Sequence, residues 1–281
     1  TAYEIMPSLV GAEMCIRDSL KVGVSIILMK KILLFFVLVF YSFSNSYAKP
    51  PYDGTIWYFP DVINSNDPTT FQELIYVGQD HREMFDRRKG GRWITKKVFL
   101  FNAIYEDRTI EIQVNPEFKN PDNAFQEAFF YSEIIGRLPN FLLSNVKTVW
   151  IHKGNKDYGG GNQNLLIHIG RSKEYIKKEI LEEVFIHEGG HSSLDWDWDG
   201  VIDKTEWNKA AKKDKEYISK YAKKYPQRED VAESIVAWIA VRYRLDRISN
   251  GNAEIILKTI PNRLKFFDEQ NFDMYPLVPR E

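Results

Sequence analysis

The sequence predicts an α+β fold, with a β-rich N-terminal half followed by a helical C-terminal half. Residues 54–170 consist mainly of short β-branched and aromatic runs separated by glycine, proline and asparagine, a pattern typical of strands and turns. From residue 173 onward, apolar side chains recur at helical spacing. Hydrophobic residues make up 44% of the 281 residues, which is enough for a packed core, and we expect a single domain over residues 49–281.

The first 48 residues are predicted not to belong to this domain. Residues 29–48 combine a basic start, an unbroken apolar run and a small-residue cleavage site, which are the three parts of a secretory signal peptide. The apolar run is shorter than the roughly 20 residues that a bilayer requires. Residues 1–28 are predicted to be an artefactual extension. We therefore expect a secreted or periplasmic protein without a stable membrane anchor.

The net charge and the cysteine content indicate which partners and which stabilising features to expect. Residues 1–48 contain four of the 38 basic and three of the 39 acidic residues, so the remaining chain has a net charge of about −2. Such a balance gives no reason to expect a nucleic acid partner. Cys15 is the only cysteine, so the exported domain cannot form disulfides. We expect a monomer that is stabilised by its core and by any bound metal.

The predicted elements of the first half are mostly strands. They lie at residues 54–59, 96–107, 108–116, 146–152 and 165–170, with a strand or helix at 71–78 and a helix at 123–136. Residues 80–94 are predicted to be a polar connection. The loop at 153–164 contains three consecutive glycines but lacks the lysine and hydroxyl residue of a P-loop, so we interpret it as a mobile turn beside a functional cleft.

Three amphipathic helices are predicted for the second half of the chain. They cover residues 173–192, 204–224 and 229–248, and each carries an apolar stripe. Residues 261–281 contain three prolines and are predicted to be an irregular tail on the surface.

The first of these helices carries an H-E-x-x-H motif at His187, Glu188 and His191. Helix positions four apart share one face, so the two imidazoles can bind one zinc ion. Glu188 can then take a proton from a zinc-bound water, which suits attack on a peptide carbonyl. Gly189 and Gly190 each cost about 1 kcal/mol of helix propensity relative to alanine. We therefore expect another backbone or a substrate to pack closely against them.

The third zinc ligand has two candidates. Asp197 occupies the third-ligand position of the layout H-E-x-x-H-x-x-G-x-x-H/D, but Leu194 stands where that layout needs glycine. Glu233 lies on a later helix, as in gluzincins such as thermolysin, and we favour it. Glu229 and Asp230, one turn earlier, are predicted to orient a ligating histidine.

A resemblance to a known family rests on the segments HEGGHSSLD, EYISKYA, EDVAESIVAW, GQDHREMFDRR and TIEIQVNPEF. They resemble a family of secreted bacterial proteins with a zincin-type (HExxH, gluzincin-like) metallopeptidase domain, over nearly all of residues 54–245. The resemblance implies a zincin-like fold, with His187, His191 and Glu233 as zinc ligands and Glu188 as the base. The AES element also resembles the third-ligand helix of lethal-factor-type peptidases. No substrate follows from it.

Zincin peptidases also need a hydrogen-bond donor for the oxyanion. Tyr221 matches the family pattern better than Tyr225, although packing at a helix interface is an equal alternative for Tyr221. In the zincin fold the strand before the active-site helix is a free edge, so residues 165–170 are expected to pair with an extended substrate. We interpret His168, in this strand, as structural.

The segment after His191 fits the EF-hand loop pattern D-x-D-x-D-G-x-I-D-x-x-E. Its calcium ligands are predicted to be Asp195, Asp197, Asp199, Val201, Asp203 and Glu206. Gly200 is expected to supply the tight turn, and the ion to pin the connection between two helices. An acidic loop that merely caps the next helix is the alternative, because the family pattern extends only through Asp195. A calcium-bound Asp197 cannot also be the third zinc ligand.

The sequence therefore predicts a secreted zinc metallopeptidase that acts on a peptide or protein substrate. A non-catalytic extracellular protein that binds calcium and zinc is the alternative, but a structural zinc site has no use for the base Glu188. A metal-dependent hydrolase of a non-peptide bond would use the same residues.

Overall fold

A computed structural model of the chain describes residues 49–280, so the predictions for residues 1–28 and 29–48 lie outside it. The described residues form one six-stranded sheet and eight α-helices. This mixture confirms the predicted α+β class. Among these residues, no helix combines the length and the apolar character needed to cross a bilayer.

The sheet contains three parallel strands in its centre. Its strands are β1 (Phe71–Asp86), β2 (Arg92–Tyr105), β3 (Thr109–Val114), β4 (Thr148–His152), β5 (Gly159–Gly161) and β6 (Asn164–His168). Their order is β1-β2-β3-β4-β6-β5, in which β3, β4 and β6 are parallel and the other pairs are antiparallel. The strands β1 and β5 therefore form the two edges.

The edge strand β5 corrects two expectations about the chain before the active-site helix. The glycine-rich segment is not a mobile turn, because Gly160 pairs with Leu165 of β6. As a result, β6 lies between β4 and β5 and does not form a free edge, contrary to the prediction for residues 165–170. Glycines lower strand propensity, so sequence patterns gave no sign of this strand.

Two more predicted elements, at residues 80–94 and 54–59, differ from the structure. The strands of the β1–β2 hairpin run through most of residues 80–94, and only a short turn at Arg88–Gly90 separates them. The run at residues 54–59 contains a 3-10 turn at Thr55–Trp57 instead of a strand. A small apolar cluster joins the distal half of the hairpin to the centre of the sheet through Met84, Val98, Leu100, Trp150 and Leu166.

Two of the three helices predicted for the second half, 173–192 and 204–224, are each divided into two helices, and the third, 229–248, is shorter. The helices of the structure are α1 (Pro121–Ile135), α2 (Ile169–Lys177), α3 (Leu181–Ser193), α4 (Lys204–Asp214), α5 (Lys220–Lys224), α6 (Asp230–Tyr243), α7 (Asn250–Thr259) and α8 (Pro261–Asp268). Glu179 (φ 55°) separates α2 from α3, and Lys215 (φ 63°) separates α4 from α5. The predicted irregular tail contains α8, because proline at the first position of a helix starts it and does not break it.

The helix α3 lies in the middle of the main core. Its side chains Val184, Phe185 and Ile186 are buried, and the helix packs against β5 and α6. The H-E-x-x-H motif is therefore held between the sheet edge and a second helix.

Candidate metal centre

Two glycines allow α3 and its neighbours to approach closely. A Cβ atom at Gly189 would lie 3.1 Å from the main-chain oxygen of Leu142, and a Cβ at Gly190 would lie 3.4 Å from the Cα of Ala232. Both glycines thus face a neighbouring backbone, as their poor helix propensity predicted. The contact at Gly190 brings the start of α6 next to the two histidines.

Three buried side chains converge at this contact, namely His187, His191 and Glu229. The two Nε2 atoms are 3.2 Å apart, and Oε2 of Glu229 lies 3.1 Å from the Nε2 of His191 and 3.4 Å from that of His187. Ligand atoms of a tetrahedral zinc ion with bonds of about 2.1 Å lie about 3.4 Å apart. Within residues 49–280, this is the group of His, Asp and Glu atoms that is compact enough to hold a metal ion.

Glu233, the predicted third ligand, lies on the opposite side of the His187 ring. Its Oε1 is 3.5 Å from Nδ1 of His187, and its Oε2 accepts a hydrogen bond of 2.7 Å from the main-chain N–H of Thr55. The hydroxyl of Thr55 also donates to the main-chain oxygen of Glu233 at 3.0 Å. Glu229 thus lies at the Nε2 atoms, where the third ligand was expected to be Glu233, and Glu233 lies beside a histidine Nδ1, the place expected for Glu229. One helical turn separates the two glutamates, and only Glu229 reaches the Nε2 atoms.

Asp230, also predicted to orient a histidine, belongs to a different buried network. Its Oδ2 accepts hydrogen bonds from Nε of Arg263 at 2.9 Å and from Nε1 of Trp207 at 3.1 Å. Neighbouring helix positions point about 100° apart, which turns this side chain away from the face of Glu229. The prediction for Asp230 is therefore wrong.

Asp195 takes a place beside the second histidine. Its Oδ2 lies 3.7 Å from Nδ1 of His191, and the side chain is buried. Asp197, the other candidate for the third ligand, is exposed and lies outside the three-residue group. Each histidine thus has a carboxylate near its Nδ1 as well as Glu229 near its Nε2.

Charges within the group oppose the effect of burial. Burial disfavours the charged imidazole, but Asp195 and Glu229 raise the pKa of His191 to about 10. Burial likewise opposes ionisation of Glu229, yet hydrogen bonds to His187 and His191 hold the pKa of its carboxyl well below its usual range. Glu229 is therefore an anion that a divalent cation can bind in competition with a proton.

The second oxygen of Glu229 is held by two donors. Its Oε1 accepts hydrogen bonds from the hydroxyl of Tyr221 at 3.0 Å and from Nε of Arg228 at 2.7 Å. Burial and the negative charge of Glu229 raise the pKa of Tyr221 to about 12, so its hydroxyl stays protonated at neutral pH. Tyr221, predicted as an oxyanion donor, thus lies at the centre and is bound to a candidate ligand.

A cleft of about 790 Å³ contains the centre. Glu188 is half-buried in this cleft, and within residues 49–280 its carboxylate has no hydrogen-bond partner. A Cβ atom at Gly160 would lie 1.9 Å from the main-chain oxygen of Glu188, so β5 lies directly against α3. The segment at Gly54–Trp57 lines the cleft as well.

The acidic loop connects α3 to α4, as an EF-hand requires, but its backbone differs from the expected one. The left-handed residue is Asp199 (φ 60°) and not Gly200. Glycine is nevertheless required at position 200, because a Cβ atom there would lie 2.2 Å from the carbonyl carbon of Leu194. Asp203 caps α4 by accepting a 2.9 Å hydrogen bond from the N–H of Glu206.

The side chains of this loop do not converge on one point. In the part of the chain that the structure describes, no three of its carboxylates have oxygen atoms within 4.8 Å of one another. Glu206 instead pairs with Nζ of Lys209 at 2.6 Å. Calcium binding stays a prediction.

His168 has the surroundings of a structural residue. It is fully buried in β6, and its Nδ1 donates to the main-chain oxygen of Lys153 at 3.1 Å. Its ring stacks on that of His152, which is fully buried in β4, with centroids 5.2 Å apart. Sequence analysis did not consider His152.

Sequence analysis also missed Thr55 and Arg228. Thr55 lies 178 positions before its partner Glu233, so no local pattern links the two. Arg228 directly precedes Glu229 and donates a hydrogen bond to its Oε1 at 2.7 Å; no motif in the sequence marks this arginine.

No family model, curated protein or solved structure matches this chain. Functional proposals therefore depend on the geometry of the site itself.

Proposed function

We propose that the protein is a secreted, zinc-dependent metallopeptidase with a zincin-like fold. One observation carries this proposal. Two imidazole nitrogens and one carboxylate oxygen form a triangle with sides of 3.1, 3.2 and 3.4 Å, close to the spacing of three zinc ligands. This triangle lies in a cleft that also contains Glu188.

In this proposal His187, His191 and Glu229 hold the zinc ion. Glu233 and Asp195 orient the two rings through their Nδ1 atoms, and such partners also raise the basicity of the ligating nitrogens. When bound, the ion supplies Lewis-acid activation of a water molecule and of the substrate carbonyl.

Glu188 is the general base in the proposed reaction. It accepts a proton from the attacking water and passes it to the leaving amine. Two features suit it to this task, namely its position in the cleft and a carboxylate without a competing partner in residues 49–280. Tyr221 is protonated, and its hydroxyl donates to Oε1 of Glu229, which Arg228 also holds. By turning from Glu229, this hydroxyl can donate a hydrogen bond to the oxygen on which negative charge develops.

The edge strand β5 is the proposed docking site for the substrate backbone. It ends the sheet beside Glu188, and an extended peptide can add to such an edge through main-chain hydrogen bonds. Glycines leave this edge without side chains, so a substrate backbone can approach it closely.

Zinc content and digestion of a peptide library test the proposal. The wild-type protein should cleave peptides, lose this activity to a chelator and regain it with zinc. Glu188→Gln should keep the zinc and lose activity by at least about a hundredfold, whereas Glu254→Gln, an exposed residue of α7, should keep both. A zinc-loaded wild-type protein that cleaves no peptide would contradict a peptidase and favour a binding protein or a hydrolase of another bond.

A further inference from the structure

A basic side chain without an acidic partner lies at the rim of the cleft. Arg87 is exposed, and its Nη1 contacts only the main-chain oxygen of Asp157, at 3.4 Å. The other two arginines that line the cleft are neutralised, Arg171 by Asp157 at 2.9 Å and Arg228 by Glu229 at 2.7 Å. Among the described residues, no carboxylate oxygen lies within 4.0 Å of the Arg87 guanidinium.

The neighbours of Arg87 in the chain fix its position. Asp86 accepts hydrogen bonds from Nε and Nη2 of Arg88 at 2.9 and 2.7 Å, and Nη1 of Arg88 binds Glu117 at 2.8 Å. Glu117 follows β3, so the turn of the β1–β2 hairpin is tied to the carboxyl ends of the parallel strands. Because the backbone at Arg87 is already held, binding of a ligand mainly has to immobilise one side chain.

The guanidinium of Arg87 lies against the edge strand β5. A Cβ atom at Gly159 would lie 2.6 Å from its Nη2, so a larger residue would displace it. The next residue, Gly160, contacts the main-chain oxygen of Glu188. Strand residues advance about 3.3 Å each, which puts the guanidinium within one or two residues of the main chain of Glu188 along this edge.

We propose that Arg87 is a specificity-determining residue that binds a carboxylate of the substrate within two residues of the scissile bond. This inference rests on the proposed peptidase function. A peptide added to β5 brings its side chains past Arg87, and a guanidinium binds a carboxylate through two parallel hydrogen bonds. The carboxylate belongs either to an aspartate or glutamate side chain or to the C-terminus of a short peptide.

Matched peptides test this specificity. We expect zinc-loaded wild-type protein to cleave C-amidated peptides with Glu near the cut about tenfold to a hundredfold faster, in kcat/KM, than the same peptides with Gln. Arg87→Ala should bring this ratio close to one, mainly by slowing cleavage of the Glu peptides, and Arg87→Glu should favour Lys at the same position. Lys89→Ala, in the same turn but outside the cleft, should keep the wild-type ratio.

Binding of the same peptides to zinc-loaded Glu188→Gln protein separates the two proposals. Selective binding of acidic peptides that is lost with Arg87→Ala supports the assignment even if the wild-type protein hydrolyses none of them, and in that case only the peptidase function fails. A preference confined to peptides with a free C-terminus identifies that group as the bound carboxylate. Equal ratios for wild type and Arg87→Ala, in both cleavage and binding, would overturn the inference.

Discussion

The structure predicts that two glutamates one helical turn apart contribute unequally to zinc affinity. Oε2 of Glu229 lies 3.1 and 3.4 Å from the two Nε2 atoms, whereas Glu233 approaches only Nδ1 of His187, at 3.5 Å. Removing the carboxylate of Glu229 should therefore remove a zinc ligand, whereas removing that of Glu233 should only make the His187 ring less well oriented. The motif by itself favours the opposite order.

The expected magnitudes follow from these positions. In structural zinc sites with four protein ligands, the binding free energy of about 10–16 kcal/mol corresponds to roughly 3 kcal/mol for each ligand. Glu229→Ala should thus weaken zinc binding by at least about a hundredfold. Loss of a partner that only orients a ligand costs about tenfold to a hundredfold. For Glu233→Ala we expect the low end, because the helix and Glu229, 3.4 Å from Nε2, still hold His187.

Competition with a chelator of known zinc affinity, at fixed pH, measures both dissociation constants. The unfolding midpoint of each variant shows whether the fold is retained, and Glu254→Ala on the exposed side of α7 serves as the matched control. A larger loss for Glu233→Ala than for Glu229→Ala would refute the assignment of Glu229 as the third ligand.

Three further predictions concern stability. Burial lowers the pKa of His152 to about 4, so the unfolded chain takes up a proton on this residue first as the pH falls from 6.5. The free energy of unfolding should therefore drop by up to about 3 kcal/mol by pH 4. In denaturant titrations, the unfolding free energy of His152→Gln should depend less on pH. Gly160→Ala places a Cβ 1.9 Å from the main chain of Glu188 and should destabilise the fold by about 1–3 kcal/mol. Gly251→Ala in α7, where a Cβ would meet nothing within 4 Å, should not destabilise it. Equal unfolding midpoints for the two variants would contradict the packing of β5 on α3. If the acidic loop binds calcium, a calcium concentration ten times Kd should stabilise the protein by about 1.4 kcal/mol. Asp197→Asn should remove most of this gain. An unchanged Tm in millimolar calcium would instead indicate that the loop only caps the next helix.

Local patterns in the sequence determined the parts of this protein that depend on one element at a time. The spacing of His187 and His191 requires a shared helix face, because the α-helix repeats every 3.6 residues. Gly189 and Gly190 likewise indicated a close backbone contact, since a helix accepts their cost only where larger side chains do not fit. The change from strand to helix patterns along the chain was sufficient for the α+β class.

Only the tertiary structure decided which side chains meet across elements. Glu229 and Glu233 share a helix face, so periodicity permits either as a ligand, and the approach of α6 to α3 selects the first. The contact between Thr55 and Glu233 joins residues 178 positions apart, and the edge strand β5 consists of residues with low strand propensity. Both depend on packing between distant segments, whose energies a local sequence pattern does not contain.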